Sequence, residues 1–91
     1  MKSNPVVSTK QSEDDILRAF QDVVRDVLDD DAVRIEMTTT ARDVAGWDSL
    51  ANIRIILAAE KAFEIKVSTS ELTALRNVGD FVRLIAGRRS G

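Results

Sequence analysis

The spacing of apolar residues between positions 16 and 28 constrains the fold of this chain more than any other feature of its sequence. The apolar residues there are Ile16, Leu17, Phe20, Val23, Val24, Val27 and Leu28. Intervals of one, three and four residues place all of them on one face of an α-helix. Ser12 is the expected N-cap, because its side chain accepts a hydrogen bond from a free backbone N–H and acidic residues follow it. The pattern predicts a first helix that ends near the aspartates at 29–31.

The second and third helices are predicted from the same kind of pattern. The second helix has Asp48 as its expected N-cap and ends near Phe63. Its buried stripe is expected to consist of Leu50, Ile53, Ile56, Leu57 and Phe63, with Ile55 to one side. The residues at 64–67 are interpreted as an extended link. A short third helix then begins at Ser68 or Ser70, either of which is a suitable cap.

The fourth helix and the two ends of the chain complete the expected organisation. Asn77 is the predicted N-cap of this helix, and Gly87 is its predicted end. Its core positions are Val78, Phe81, Val82 and Ile85. We therefore expect a flexible leader over residues 1–11, a folded domain over residues 12–86 and a frayed tail over residues 87–91.

A long connection over residues 32–46 joins the first two helices. Three consecutive threonines at 38–40 disfavour a regular helix there, whereas scattered apolar residues would anchor the connection onto the core. At roughly fifteen residues it exceeds the usual 2–8 residues of a helix–helix connection, and such loops are often functional. The sequence therefore predicts an all-α fold: a small antiparallel four-helix bundle with three main helices, one short helix and this long loop.

The amino-acid composition argues against several classes of function. The 91 residues include no cysteine and no histidine, so disulfides, a thiolate metal site and the usual general base are excluded, and we expect no enzyme. The net charge is −2, and the seven Lys/Arg after residue 50 form no basic cluster, which argues against a nucleic-acid binder. No apolar run approaches the roughly 20 residues that span a bilayer. Since no signal-peptide pattern opens the chain, the expected location is the cytoplasm.

The stretch GWDSL at 46–50 is the candidate functional site. Ser49 is expected to be the first residue of the second helix, where free backbone N–H groups and the helix dipole favour an attached phosphate. Nucleophilic serine chemistry needs an adjacent base and an oxyanion hole, so the site suits modification better than catalysis. Serine and aspartate are also common at helix starts simply as caps, and Trp47 is equally explained as a plug for the end of the core.

Three short motifs in a fixed order extend this pattern. They are Asp48-Ser49-Leu50, Phe63-Glu64-Ile65 and Val78-Gly79-Asp80. Together they resemble the acyl carrier protein family over about residues 12–86. The resemblance implies that Ser49 receives 4′-phosphopantetheine from coenzyme A through a separate transferase, and that cargo is carried on this arm as a thioester. It also implies that Asp48 caps the helix and assists the metal site of the transferase, and that Leu50 packs beside the arm.

The resemblance implies partner enzymes as well, namely a phosphopantetheinyl transferase and enzymes that load, transfer or condense acyl groups onto a monomeric carrier. Fatty-acid carriers present an acidic second helix to basic patches on such enzymes. The positions expected to face partners here are Trp47, Ala51, Asn52, Arg54 and Lys61. Because like charges across an interface weaken docking, we expect a specialised carrier of a fatty-acid-like, polyketide, nonribosomal or other biosynthetic pathway. In the alternative interpretation, Arg54 and Lys61 face away from partners or are neutralised by Glu64 or Asp48.

An interior pocket for the acyl chain is a further expectation from the resemblance. Its possible lining is Ile53, Ile56, Leu57, Phe63, Leu72, Val78 and Phe81. Ordinary core packing explains these residues equally well, and the alanines at 58, 59 and 62 indicate close helix packing with little internal room. Acyl and aminoacyl cargo both stay open. An unmodified helical protein–protein interaction module is the alternative to a carrier.

Overall fold

The described part of the chain, residues 12–89 of a computed structural model, consists of α-helices joined by loops. The helices are α1 (Glu13–Leu28), α2 (Ser49–Phe63), α3 (Thr69–Ala74) and α4 (Val78–Arg89), with a single 3₁₀ turn at Ala41–Asp43 between α1 and α2. The prediction of three main helices, one short helix and a long first connection is confirmed. The leader predicted over residues 1–11 lies outside the described residues, as do the last two residues of the predicted tail.

Side-chain caps fix where the helices begin. The Ser12 hydroxyl accepts a hydrogen bond from the Asp15 N–H at 3.1 Å, and the Asp80 N–H donates to Asn77 Oδ1 at 2.9 Å. Asp48 Oδ1 accepts from the Ala51 N–H at 2.8 Å. Each of these bonds satisfies a backbone donor that has no partner within its own helix. The three caps predicted from the sequence are therefore confirmed.

The hydrophobic core lies where α1 packs against α2 and α4. Its buried residues are Ile16, Phe20, Val24, Val33, Ile35, Ile55, Ile56, Ala59, Phe63, Ile65, Val78, Phe81, Val82 and Ile85. The long connection contributes two of them and is tied to α1 by polar contacts. Arg25 Nε donates to the Val33 carbonyl at 2.7 Å, and the Ile35 N–H donates to Gln21 Oε1 at 2.8 Å. The connection is thus an ordered part of the domain, as expected from its apolar residues.

The buried face of α2 differs from the prediction. Three residues of the predicted buried stripe, Leu50, Ile53 and Leu57, are 56–58% exposed, whereas Ile55 and Ala59 are fully buried. Ile56 and Phe63 are buried as expected. The prediction failed because α2 carries apolar residues on nearly all sides, so that spacing alone does not select one face. Packing against α1 selects it, and an apolar face is left exposed to solvent.

Helix α3 begins with a capping box, a pair of reciprocal hydrogen bonds between Ser68 and Glu71. The Ser68 hydroxyl accepts from the Glu71 N–H at 3.2 Å, and Glu71 Oε1 accepts from the Ser68 N–H at 2.9 Å. The pKa of the Glu71 carboxyl is lowered, mainly because it accepts the hydrogen bond from the Ser68 backbone N–H. The positive charge and the hydrogen bond of Arg88 lower this pKa further. Arg88 also donates to the Lys66 carbonyl, so this cluster fastens α3 and its preceding link to α4.

Helix α4 continues through Gly87 to Arg89, so the predicted helix end at Gly87 is wrong. A glycine ends a helix when it adopts a left-handed conformation, and Gly46 is the one glycine of the described residues with a positive φ, at 87°. Gly87 therefore behaves as an ordinary helical residue. The part of the predicted tail that the structure describes, up to Arg89, belongs to the last helix.

The start of α4 makes a close backbone contact with the long connection. The Val78 N–H donates to the Thr39 carbonyl at 2.8 Å, and the Gly79 N–H donates to the Met37 carbonyl at 2.7 Å. A Cβ atom on Gly79 would lie 2.7 Å from that same Met37 oxygen. Because the obstacle is backbone, no side-chain rotation relieves it. Glycine is required at position 79 by close approach.

Substitution of the two glycines of α4 by alanine is expected to have opposite effects. Gly79→Ala should lower the free energy of unfolding by about 1–3 kcal/mol, the usual cost of overpacking. Gly87→Ala should raise it by about 0.5 kcal/mol, because alanine loses less backbone entropy in a helix and a Cβ there has nothing within 4 Å. Urea unfolding of both variants measures the two effects. Equal changes in both would contradict the close approach at Gly79.

Candidate functional site

Ser49 lies at the junction where the long connection becomes α2. It is the first residue of the helix, directly after the N-cap Asp48, and it is exposed. Gly46, with its positive φ of 87°, allows the tight turn that precedes it. The Trp47 N–H closes this turn by donating to the Val44 carbonyl at 3.2 Å. Ser49 therefore lies at an accessible helix start, as predicted.

A cavity of about 490 Å³ lies beside Ser49. Its walls come from all four helices, from the long connection and from the segment that links α3 to α4. It is lined by Phe20, Thr39, Ala41, Arg42, Trp47, Asp48, Ser49, Asn52, Ile56, Leu72, Leu75, Arg76, Asn77, Val78 and Phe81. The alanines at 58, 59 and 62, from which little internal room was expected, do not line this cavity.

The predicted pocket residues divide into three groups. Four of them lie on the wall of the cavity beside Ser49, namely Ile56, Leu72, Val78 and Phe81. Ile53 and Leu57 lie instead on the exposed face of α2 and border a second depression of about 190 Å³. Phe63 is buried in the core and lines neither cavity. With a rise of 1.5 Å per residue, it lies about 20 Å from Ser49 along α2, which is too far to border the same space.

Trp47 and Asn52, which were predicted to face partners, both line the cavity, and Asn52 is exposed. Trp47 Nε1 donates to Asn52 Oδ1 at 2.8 Å. The indole is half-buried and meets the Phe20 ring edge-on, with 6.2 Å between centroids and 65° between planes. Phe20 makes a similar contact with Phe81 at 5.0 Å. The indole therefore covers one end of this aromatic cluster.

The other positions predicted to face partners lie on different parts of α2. Ala51 is half-buried, while Arg54 and Lys61 are exposed. Leu50, expected to pack beside the arm, follows Ser49 directly and is 58% exposed. Leu50, Arg54 and Lys61 are neighbours on the outward side of the helix, since successive residues turn by about 100°. They therefore share the face that also carries Ile53 and Leu57.

Several cavity residues were missed as site residues by the sequence analysis. They are Phe20, Thr39, Ala41, Arg42, Leu75, Arg76 and Asn77. Phe20 belongs to the apolar stripe of the first helix and Leu75 is an ordinary apolar residue, so neither gives a sign in the sequence that it borders a cavity. Arg42 and Arg76 lie in connections without periodicity, so no sequence pattern marks them. Only the packing of the connection against α4 brings them to the same space.

The chemistry available at this site is that of an acceptor for a modification. Among residues 12–89, no group of three or more acidic side chains is arranged to hold a metal ion. The Asp48 carboxylate beside Ser49 caps the helix through Oδ1, and no hydrogen bond joins it to the Ser49 hydroxyl. The helix N-terminus favours a phosphate on this oxygen electrostatically. No helix within the same residues is long and apolar enough to cross a membrane.

Comparisons with known proteins point to the same chemistry. A model of the family described as "Phosphopantetheine attachment site" matches residues 18–85. An acyl carrier protein of Clostridium acetobutylicum is 33% identical over 70 residues, which cover 77% of this chain and 91% of that protein. One of Phenylobacterium zucineum is 30% identical over 74 residues, 81% of this chain and 94% of that protein.

A solved structure is also similar in both fold and sequence. It is the solution NMR structure of a holo acyl carrier protein from Geobacter metallireducens, with a TM-score of 0.75 and 35% sequence identity. The match covers 82% of this chain and 88% of that one. The likeness therefore includes nearly all of the helical bundle described above.

Proposed function

We propose, because this chain belongs to the acyl carrier protein family, that Ser49 is the residue to which its 4′-phosphopantetheine is attached. Membership of the family makes the protein a carrier with a covalently bound phosphopantetheine arm. The arm supplies a terminal thiol, which holds an acyl group as a thioester. A chain without cysteine thereby gains a reactive sulfur.

The observation that carries the choice of Ser49 is the state of its hydroxyl. The Ser12 hydroxyl caps α1, the Ser68 hydroxyl caps α3, and the Ser70 hydroxyl lies 3.3 Å from that of Ser68. Of the serines within residues 12–89, Ser49 is the one whose hydroxyl has no recorded hydrogen bond. It is also exposed and lies at the mouth of the cavity. These features support Ser49 over the other described serines.

In the attachment reaction, the Ser49 oxygen forms a new bond to the phosphorus of coenzyme A that carries the pantetheine. The bond from this phosphorus to the adenosine portion breaks, and adenosine 3′,5′-bisphosphate leaves. The hydroxyl proton passes to a base of the transferase, since no side chain of the described residues is hydrogen-bonded to this hydroxyl. Asp48 holds the first turn of α2 in place through its bond to the Ala51 N–H, which fixes the position of the oxygen.

Incubation with coenzyme A and a phosphopantetheinyl transferase of broad specificity tests this proposal. The intact mass of the purified chain is expected to rise by one phosphopantetheine group, and by no more than one. Tryptic mapping should place the added mass on the peptide that contains Ser49. A chain whose mass does not change under conditions that load a known carrier would contradict the proposal and favour an unmodified interaction module.

For docking to partner enzymes, we propose the outward face of α2, defined by Leu50, Ile53, Arg54, Leu57 and Lys61. Its three apolar residues are the large hydrophobic side chains exposed in the described part of the chain. The ion pairs recorded there, Arg83 with Asp80 and Arg88 with Glu71, leave both cations of this face unpaired.

Neither cation of this face forms an ion pair with Asp48, Glu60 or Glu64. Glu60 accepts the Val67 N–H at 2.8 Å through Oε2, so that carboxylate is engaged within the molecule. We therefore infer partners whose docking sites are apolar with acidic rims, as in a specialised pathway, instead of the basic partners of fatty-acid carriers.

Charge reversal on this face should improve acceptance by fatty-acid elongation enzymes. Arg54→Glu and Lys61→Glu are each expected to raise kcat/KM with such enzymes roughly two- to fivefold, the effect of one exposed ion pair. Steady-state kinetics of the loaded variants measure this. Arg18→Glu makes the same charge change on exposed α1 and should have little effect. If fatty-acid elongation enzymes accept the loaded wild-type protein efficiently, and the charge reversals leave kcat/KM unchanged, a specialised docking face is contradicted.

A further inference from the structure

The cavity beside Ser49 has an excess of positive charge. Its charged lining side chains are Arg42, Arg76 and Asp48, although the whole chain has a net charge of −2. The deeper lining is apolar and aromatic, with Phe20, Ile56, Leu72, Val78 and Phe81. A ligand that matches this space has an apolar body and a negative charge at one end.

The two arginines have no carboxylate partner in the described residues, since the ion pairs recorded there involve neither of them. The acids that are near in sequence are bound to backbone N–H groups. Asp43 Oδ2 accepts from the Thr40 N–H at 2.9 Å, and Asp80 Oδ2 accepts from the Arg76 N–H at 2.9 Å. These carboxylates keep their charge, but neither forms a side-chain hydrogen bond with Arg42 or Arg76, so the donors of both guanidinium groups are available for a ligand.

The same backbone contact that requires Gly79 holds the two arginines at one cavity. Arg42 lies in the 3₁₀ turn of the long connection, and Arg76 lies just before α4. The hydrogen bonds from the first N–H groups of α4 to the Thr39 and Met37 carbonyls join these two segments. The fold thus fixes the backbone positions of the two arginines before a ligand binds, whereas their exposed side chains become ordered only on binding.

We propose that this cavity binds a short acyl group that carries a second, ionised carboxylate, and that Arg42 and Arg76 bind that carboxylate. The inference rests on the proposed attachment of the arm at Ser49 and names the class of cargo carried on it. A flexible arm that folds back from Ser49 places the acyl chain against the apolar lining. The terminal carboxylate then receives charge-assisted hydrogen bonds from the guanidinium groups, whose planar donors match its geometry.

The phosphate of the arm is the other anion near this site. It is attached to the α2 wall of the cavity, next to the Asp48 carboxylate, whereas the arginines belong to the wall formed by the connection and the start of α4. We therefore assign the arginines to the cargo instead of to the phosphate. The experiment below includes the arm without cargo in order to separate the two sources of negative charge.

The test compares two acyl groups of the same length on the same arm. The transferase loads the wild-type chain from coenzyme A, pentanoyl-coenzyme A or glutaryl-coenzyme A, and intact mass verifies the load before and after each melt. Glutaryl and pentanoyl both have five carbons, and only glutaryl has the second carboxylate. The glutaryl form is expected to unfold about 4 °C or more above the pentanoyl form, the shift that roughly 1 kcal/mol of binding produces in a domain of this size. This difference should shrink at high salt.

Three variants assign the effect to the cavity. Arg42→Gln and Arg76→Gln should each reduce the difference between the glutaryl and pentanoyl forms, and the double variant should abolish it. Arg54→Gln removes an equal charge from the outward face of α2 and should leave the difference unchanged. For each variant, the glutaryl form is compared with the pentanoyl form of the same variant. A loss of stability caused by the substitution itself affects both forms equally and therefore does not change the difference.

Three outcomes would overturn the proposal. Equal unfolding temperatures for the two loaded forms would show that the second carboxylate is not bound. An equal loss in Arg54→Gln would show a dependence on net charge alone. If the bare arm alone raises the unfolding temperature as much as the glutaryl-loaded arm does, and the double variant removes that rise, the arginines bind the phosphate instead. Failure of loading is seen in the mass spectrum first and contradicts the attachment at Ser49 itself.

Discussion

Ser49→Ala is expected to abolish the gain of one phosphopantetheine group completely. The substitution removes the oxygen that would bond to phosphorus, and no other described serine has an exposed hydroxyl free of recorded hydrogen bonds beside the cavity. The fold should be little affected, because Ser49 is exposed and the cap of α2 belongs to Asp48. Intact mass spectrometry after incubation with coenzyme A and transferase measures the result, and circular dichroism verifies the helical content.

Ser70→Ala is the matched control for this experiment. Ser70 is also an exposed serine near the start of a helix, but its hydroxyl lies 3.3 Å from that of Ser68 and it borders neither described cavity. The control variant should be loaded like the wild type. Loading of Ser49→Ala, or loss of loading in Ser70→Ala, would mean that the arm is attached elsewhere.

Phe20→Ala is expected to produce the largest loss of stability, about 3–5 kcal/mol. Phe20 is 1% exposed and packs edge-on against both Phe81 and Trp47. Removal of the ring loses these contacts and enlarges the cavity that Phe20 already lines. For a protein whose total stability is of the order of 5–15 kcal/mol, the unfolding temperature should fall by more than about 10 °C. The fluorescence of Trp47 should shift to longer wavelength as water reaches the indole.

Leu57→Ala is the control for the Phe20 experiment, and it also tests the orientation of α2. Leu57 is an equally apolar residue of the bundle but is 58% exposed, so its truncation should cost about 0.5 kcal/mol or less. Chemical denaturation of both variants measures the difference. A cost for Leu57→Ala that approaches the cost for Phe20→Ala would contradict the exposure of this face and favour burial of the stripe predicted from the sequence.

The local features of the chain were predictable because their physical causes are local. The caps at Ser12, Asp48 and Asn77 each depend on a side chain and a backbone N–H three residues away. The sequence alone therefore predicts them. The apolar stripe of α1 is narrow, and three of its members, Ile16, Phe20 and Val24, are fully or almost fully buried. The expected end of α4 at Gly87 failed, since glycine stops a helix only when it takes a left-handed conformation.

The sequence could not predict which face of α2 is buried, because apolar residues lie on nearly all sides of this helix. Leu50, Ile53 and Leu57 are as hydrophobic as Ile55 and Ile56, and the hydrophobic effect is non-directional. Which set is buried depends on where α1 lies. The result matters for function, since the exposed set forms the proposed docking face immediately after Ser49.

By itself, the sequence determined the helices, their caps and the exposed position of Ser49 at a helix start, because each depends on interactions within a few residues. Only the tertiary structure decided which face of α2 is buried, that a cavity lies beside Ser49, and that Trp47 and Asn52 border it. It also decided that Arg42 and Arg76 border the same cavity. Their positions are 34 residues apart in the sequence, and they are brought together by two backbone hydrogen bonds between the long connection and the start of α4, a contact that no local pattern encodes.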